Sequence, residues 1–212
     1  KDVFPDARLL AYCEFYYRST GANFDFDPEY PGSFDGRLRV RTEAAPYLLT
    51  LEAMDHGVTP THWQHSVHPE GFRDRISVIH EGIDTNVVKP DPTARFEHGR
   101  LRLSCADEVL TYVSRNLEPA RGFHVFMRAL PEILRRRPKA RAVIVGGDDV
   151  SYSGKPKGYD SYRELMLAEV GEQLDLSRVH FLGKIPYASY LKLLQVSSCH
   201  VYLTTPFVLS WS

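Results

Sequence analysis

The stretch from Val109 to Gly147, VLTYVSRNLEPARGFHVFMRALPEILRRRPKARAVIVGG, limits the possible folds of this chain more than any other. It opens on a β-rich run, Val109–Ser114, and closes on an apolar run, Ala142–Val145, that ends in Gly146 and Gly147. Between them Phe123, Phe126, Met127, Leu130, Ile133 and Leu134 recur at the spacing that puts side chains on one face of an α-helix. Strand, loop, helix and strand in that order form a crossover unit, which joins parallel neighbours in a sheet. Such sheets bind ligands outside the carboxyl ends of their strands. The loop at that end of the first strand carries Arg115, Arg121 and Gly122 and leads into the helix. Two guanidinium forks beside the positive end of a helix dipole favour an anion, and two adjacent phosphates fit best.

The same alternation continues beyond Gly147. A polar, glycine-bearing loop runs to Tyr159, and Ser161 with Glu164 forms a capping box for a helix carrying Leu165, Met166 and Leu174. A strand at Val179–Leu182 leads to Gly183, Lys184, Ile185 and Pro186; Tyr187, Tyr190, Leu191 and Leu194 mark a helix, and His200–Leu203 a last strand. From Val109 the order is β-α-β-α-β-α-β, the pattern of a doubly wound α/β sheet. The first part of the chain also alternates. Leu9–Cys13 reads as a strand, and Val40 to Met54 as a helix with Pro46 as a kink and Gly57 as its cap. Val58–Pro60 follows as a short strand, Thr61 caps a helix reaching about His68, and Ile76–His80 is a strand. Leu101–Leu103 reads as one more short strand. The Pro-bearing connection Val88–Phe96 separates the two parts, giving domains at 1–88 and 89–212. Ser19–Gly36 is loop-like and carries Phe24, Phe26, Tyr30 and Phe34, which either pin the loop or line the wall of a cleft.

Charge and side-chain type exclude several classes. The net charge is −1, so no overall field draws nucleic acid or an anionic surface, and any anion site has to be local. Arg135, Arg136 and Arg137 suit the end of a helix dipole and lack the interleaved aromatics of a nucleic-acid surface. No apolar run nears the ~20 residues of a membrane span. Cys13, Cys105 and Cys199 contain no CxxC pair and read as buried free thiols in a reducing compartment. His56, His62, His65 and His68 cluster in sequence but lack the i, i+4 pairing of a helical zinc site, so no metal is expected. Gly146 and Gly147 permit either a close ligand approach or a tight turn. The loop at Lys184–Pro186 is either a nucleobase contact or an ordinary turn.

Several motifs in one order, VIHEGIDT (Val78–Thr85), VSRNLEPARG (Val113–Gly122), AVIVGG (Ala142–Gly147), VHFLGKIPYASYLKLLQVSSCHVYL (Val179–Leu203) and the start of TTPFVLSWS, make the chain resemble the retaining family 4 glycosyltransferases of the two-Rossmann-domain (GT-B) kind. The resemblance implies two partial Rossmann-like domains with parallel sheets flanked by helices, 1–88 on the acceptor side and 89–212 binding the nucleotide sugar. It implies that Arg115 and Arg121 hold the donor diphosphate, with Arg121 where the family usually has lysine. It also implies that Gly122, Gly146 and Gly147 border the donor, that Lys184, Ile185 and Pro186 hold the base through their backbone, and that Leu209 and Ser210 approach the sugar and phosphates. The family's paired glutamates are absent from Thr204–Ser212. LEAM at Leu51–Met54 matches a donor-glutamate stretch of some sugar transferases, yet its place before the boundary makes it structural. No cofactor beyond the nucleotide-sugar substrate is implied. The acceptor is a glycan or lipid-linked glycan, as in polysaccharide biosynthesis. The expected location is the cytoplasm, including the inner membrane face through peripheral association. A sugar-nucleotide epimerase and a non-catalytic nucleotide-sugar-binding module are the alternatives. Because the chain starts at a strand and stops within a ligand loop, a fragment with poor activity by itself is expected.

Overall fold

The computed structural model of the protein describes residues 3–21 and 24–208. The chain divides into two compact units, one comprising residues up to Ile83 with the segment from Thr205, the other comprising Asp84–Thr204.

In the first unit β1 (Leu10–Tyr12), β2 (His56–Thr59) and β3 (Ile76–Val78) form a parallel sheet in the order β1-β2-β3. Helix α1 (Phe34–Ala53) connects the first two strands. It starts earlier than the periodicity from Val40 suggested, because Ser33 caps it by accepting from the Gly36 N–H at 3.0 Å. Thr61 caps α2 (His62–Val67) as expected, accepting from the Gln64 N–H at 3.1 Å, and a short α3 (Glu70–Arg73) precedes β3. The core joins Cys13, Leu51, Met54 and Ile76, so the LEAM segment is structural. A second cluster joins Phe15, Val67 and Phe207. Gly57 does not cap α1. It lies within β2, where a Cβ would come within 2.8 Å of Cys13 Sγ, and close packing requires glycine. In the Ser19–Gly36 stretch Phe24 closes against Gly32 and Gly36, whereas Phe26 and Phe34 are exposed.

The second unit begins with an antiparallel hairpin, β4 (Arg95–His98) and β5 (Leu101–Ser104), turning at Gly99 with φ of 55°. Phe96 was expected in an extended connection; it is instead a core residue, clustered with Leu103, Val109, Val143, Val145, Leu193 and Val196. The main sheet is parallel, in the order β8-β7-β6-β9, from β6 (Val109–Asn116), β7 (Arg141–Gly147), β8 (Val179–Gly183) and β9 (Cys199–Val201). Its connections are α4 (Phe123–Arg136), α5 (Tyr162–Val170) and α6 (Tyr187–Val196). This is the doubly wound pattern read from the sequence. Helix α4 buries Phe123, Phe126, Met127, Leu130 and Leu134 as its spacing required, with His124 in the core and Ile133 partly buried. Full burial of each large apolar side chain contributes about 1.5–3 kcal/mol. Helix α6 differs: it buries Leu193 and Val196 against the hairpin cluster, and Tyr187 is exposed. Leu174 lies beyond α5. All three cysteines are free, but only Cys13 is buried; Cys105 and Cys199 are exposed, correcting the expectation of buried thiols. Among the described residues no helix is long and apolar enough to cross a membrane.

Candidate functional site

The carboxyl ends of β6, β7 and β8 carry most of the residues singled out in the sequence. Strand β6 runs farther than its apolar run suggested, to Asn116, with a register irregularity between Val113 and Asn116. Arg115 therefore sits exposed on this bulged strand end and not in the loop beyond it. Bulges re-aim side chains at sheet rims. The loop proper is a single turn of 3-10 helix, Pro119–Arg121, closed by Gly122 in the left-handed region at φ of 70°. Gly122 is also the residue before the first turn of α4. A side chain there would meet Leu203 at 2.5 Å, so glycine is required by both backbone and packing.

Arg121 is held from several sides. Its backbone carbonyl accepts from the buried Tyr112 hydroxyl at 2.8 Å, and burial pushes that phenol well above its usual pKa. Its guanidinium donates through Nη1 to Thr204 Oγ1 at 2.8 Å and lies 5.0 Å from the centre of the Tyr152 ring. Arg115 shares none of these contacts among the described residues.

Sequence reasoning missed Glu118. Its side chain is buried, and Oε2 accepts from three consecutive backbone N–H groups, those of Ser151, Tyr152 and Ser153, at 3.1, 3.0 and 2.8 Å. Two further bonds join the same segments: Asn116 Nδ2 donates to Ser151 Oγ at 2.7 Å, and the Ala120 N–H donates to Ser153 Oγ at 3.2 Å. The loop after β7 is thus tied to the loop after β6. A lone glutamate between two arginines reads as a solvated charge, and its donors lie some thirty positions away, about 33–35 residues by the spacing of the bonded pairs.

Gly146 and Gly147 belong to β7 itself. Their missing side chains are accounted for by protein packing. A Cβ on Gly146 would meet Leu117 Cδ2 at 2.8 Å, and one on Gly147 would meet both Asn116 Oδ1 and Lys184 Cε at 2.7 Å. The glycines let the loop after β6 and the Lys184 side chain cross the end of β7, which brings Gly147, Asn116 and Lys184 together. Lys184 is exposed, Ile185 packs against the hairpin cluster, and Pro186 caps α6 through its backbone. Leu209 and Ser210 lie outside the described residues. Three histidines of the sequence cluster have structural partners: His56 Nε2 bonds Ser77 Oγ at 2.9 Å, His65 Nε2 bonds Arg73 O at 3.1 Å, and His68 Nδ1 bonds Gln64 O at 2.7 Å. Among the described residues no group of His, Cys, Asp or Glu is placed to hold a metal ion.

Comparisons with known proteins bear on the fold and on the class of protein. Residues 1–88 match the glycosyl transferase family 4 group. A D-inositol 3-phosphate glycosyltransferase of Nocardia farcinica is 33% identical over 117 residues, 54% of this chain and 24% of that protein. The corresponding protein of Thermobispora bispora is 28% identical over 50% of this chain and 23% of its own length. The matched region thus spans about a quarter of these relatives. Among solved structures, sucrose-phosphate synthase from Thermosynechococcus elongatus superposes with a TM-score of 0.54 at 20% identity, covering 82% of this chain and 40% of that one. TarM superposes with a TM-score of 0.56 at 10% identity, covering 93% and 32%. The α/β fold, with parallel sheets flanked by helices, is that of GT-B glycosyltransferases. The resemblance read from the sequence motifs and these comparisons point the same way: the chain is similar to glycosyltransferases of the family 4 group.

Proposed function

We propose that residues 84–204 carry the donor half of a retaining glycosyltransferase, which moves a sugar from a nucleotide sugar to a glycan or lipid-linked acceptor. The observation that carries this reading is the placement of Arg121. Its guanidinium is fixed by Thr204 and Tyr152 at the carboxyl edge of a parallel sheet, one residue before the left-handed Gly122 that opens α4. An anion there meets a positioned fork and the positive end of a fourteen-residue helix. In the proposed reaction the bond from the anomeric carbon to the diphosphate breaks, and a bond to the acceptor oxygen forms on the same face. The departing phosphate oxygen takes the acceptor proton, so no separate general base is needed. Charge grows on the diphosphate as it leaves, and fixed cations stabilise that state more than the ground state. Arg115 on its bulge is the second cation in this assignment. Lys184 borders Gly147, and Lys184–Pro186 present backbone groups to the base. Relatives support the class of ligand: a TarM structure holds UDP and α-GlcNAc-glycerol, and a Mycolicibacterium smegmatis relative, 39% identical over 31% of this chain, is named for GDP-mannose and a phosphatidylinositol mannoside. The acceptor, a peripheral membrane association and a cytoplasmic location belong to the same proposal.

A thermal-shift screen of nucleotide sugars tests it. A ligand at 100 times its Kd stabilises by about 2.7 kcal/mol. Stabilisation by at least one nucleotide sugar, much reduced in Arg121→Ala and weakened in Arg115→Ala, is the expected outcome. Full stabilisation of both variants would remove the site from these residues. Turnover of the sugar nucleotide to an epimer without an acceptor would replace transfer by epimerisation.

A further inference from the structure

We infer that Glu118 is a positioning residue for the diphosphate-binding arginine, acting through the loop that follows β7; this rests on the donor-site reading above. The carboxylate is 1% exposed, and its Oε1 finds no hydrogen-bond partner among the described residues. A side chain serving only to fill space there would gain by being uncharged, because burying a carboxylate is costly unless its charge is used. Its use is visible at Oε2. Three successive N–H groups converge on that single oxygen, the arrangement by which a backbone nest grips an anion. Here the anion comes from the protein. Charge-assisted bonds of this kind are about twice as strong as neutral ones.

Tyr152 is the middle residue of the gripped segment, and its ring is the face on which the Arg121 guanidinium rests at 5.0 Å. Glu118 and Arg121 also share one tight turn, in which the Arg121 N–H donates to Glu118 O at 3.0 Å. Residue 118 therefore serves both sides: its backbone carbonyl closes the turn that carries the arginine, and its carboxylate holds the segment that carries the ring beneath it. With one donor committed to Thr204 Oγ1, the fork is held in a single orientation before a ligand arrives. Preorganisation of this kind lowers the ordering cost of binding.

The test is a double-mutant cycle read by calorimetric UDP and GDP binding, with amide hydrogen exchange at Ser151–Ser153 as the second measurement. Glu118→Gln keeps one acceptor oxygen and removes the charge. Expected outcomes are faster exchange at those amides and about tenfold weaker nucleotide binding with Arg121 present. In an Arg121→Ala background the same substitution is expected to change affinity by less than about twofold, because the residue it positions is gone. Equal losses with and without Arg121 would overturn the inference, as would a lowered melting temperature with unchanged affinity. Arg121→Ala binding nucleotide as tightly as the parent would overturn the donor-site reading itself, and this inference with it. A weakened Arg121→Ala beside an unaffected Glu118→Gln would remove only the positioning role.

Discussion

The two parallel sheets of this chain share an architecture and differ in how much of each is covered. In β7 of the second unit four successive residues, Ala142, Val143, Ile144 and Val145, are buried. Neighbouring strand residues point to opposite faces, so both faces of that sheet are packed. In β1 of the first unit Leu10 is 71% exposed and Tyr12 54%, with half-buried Ala11 between them. Leu10 pairs with exposed His56, and only the Cys13 and Ile76 side joins the α1 core. The second sheet is the more fully packed platform, and its carboxyl edge carries the arginine, the glycines and the loops of the candidate site. Sites held on rigid elements keep their geometry more closely than those on loosely packed ones.

The largest test of this contrast is in the strands. Ile144→Ala is expected to cost about 2–5 kcal/mol. Leu10→Ala should stay within about 0.5 kcal/mol, since its side chain is mostly in solvent. Chemical denaturation measures both, and similar losses would erase the distinction. The next pair compares glycines of nearly equal backbone angle. Gly82, at φ of 77°, has nothing within 4 Å of a built Cβ, whereas Gly122, at 70°, meets Leu203 at 2.5 Å. Gly82→Ala should lose only the left-handed backbone preference, about 1–2 kcal/mol. Gly122→Ala adds an overpacking cost of about 1–3 kcal/mol. Equal melting temperatures in the two variants would mean that Leu203 moves aside freely.

The smallest effect is acid sensitivity. Burial lowers the pKa of His68 in the first unit and, in the second, of His180, with help from Arg141, and His200. Each imidazole stays neutral in the folded state below the pH where the unfolded chain protonates it, near about 6.5. The unfolded state then binds more protons, so stability is complete above that pH and falls as pH drops toward the lowered folded values. No single histidine contributes more than about 1.4 kcal/mol per pH unit. Melting temperatures between pH 7.5 and 5.5 should therefore fall, and His68→Gln should flatten the fall for the first unit alone. An unchanged slope in that variant would mean His68 titrates alike in both states.

How much was legible follows from the range of the forces involved. The β6-α4-β7 unit was readable because its periodicity is local: the apolar spacing of Phe123 to Leu134 and the run Ala142–Val145 declare their faces without tertiary context. The buried face of α6 was not, because Leu193 and Val196 pack on Phe96 and Leu103, and that hairpin was taken in part for a connection. Gly57 looked like a cap because it follows a helix. Its actual constraint is the Cys13 sulfur, remote in sequence. In the candidate site the arginines and glycines were visible as types and spacing, but Glu118 was hidden, since what holds it is three amides of another loop. The glycines at the end of β7 were found for a reason other than the packing that explains them.

The central claim is that a donor diphosphate binds at the carboxyl edge of the second sheet. Amide hydrogen exchange with and without saturating UDP or GDP tests it most directly. The account predicts new protection at the turn and first helical residues from Arg121 to Val125, at Gly147 and at Lys184, Ile185 and Tyr187. Protection confined to residues 3–83, or bound nucleotide that leaves those amides of the second unit unchanged, would contradict it.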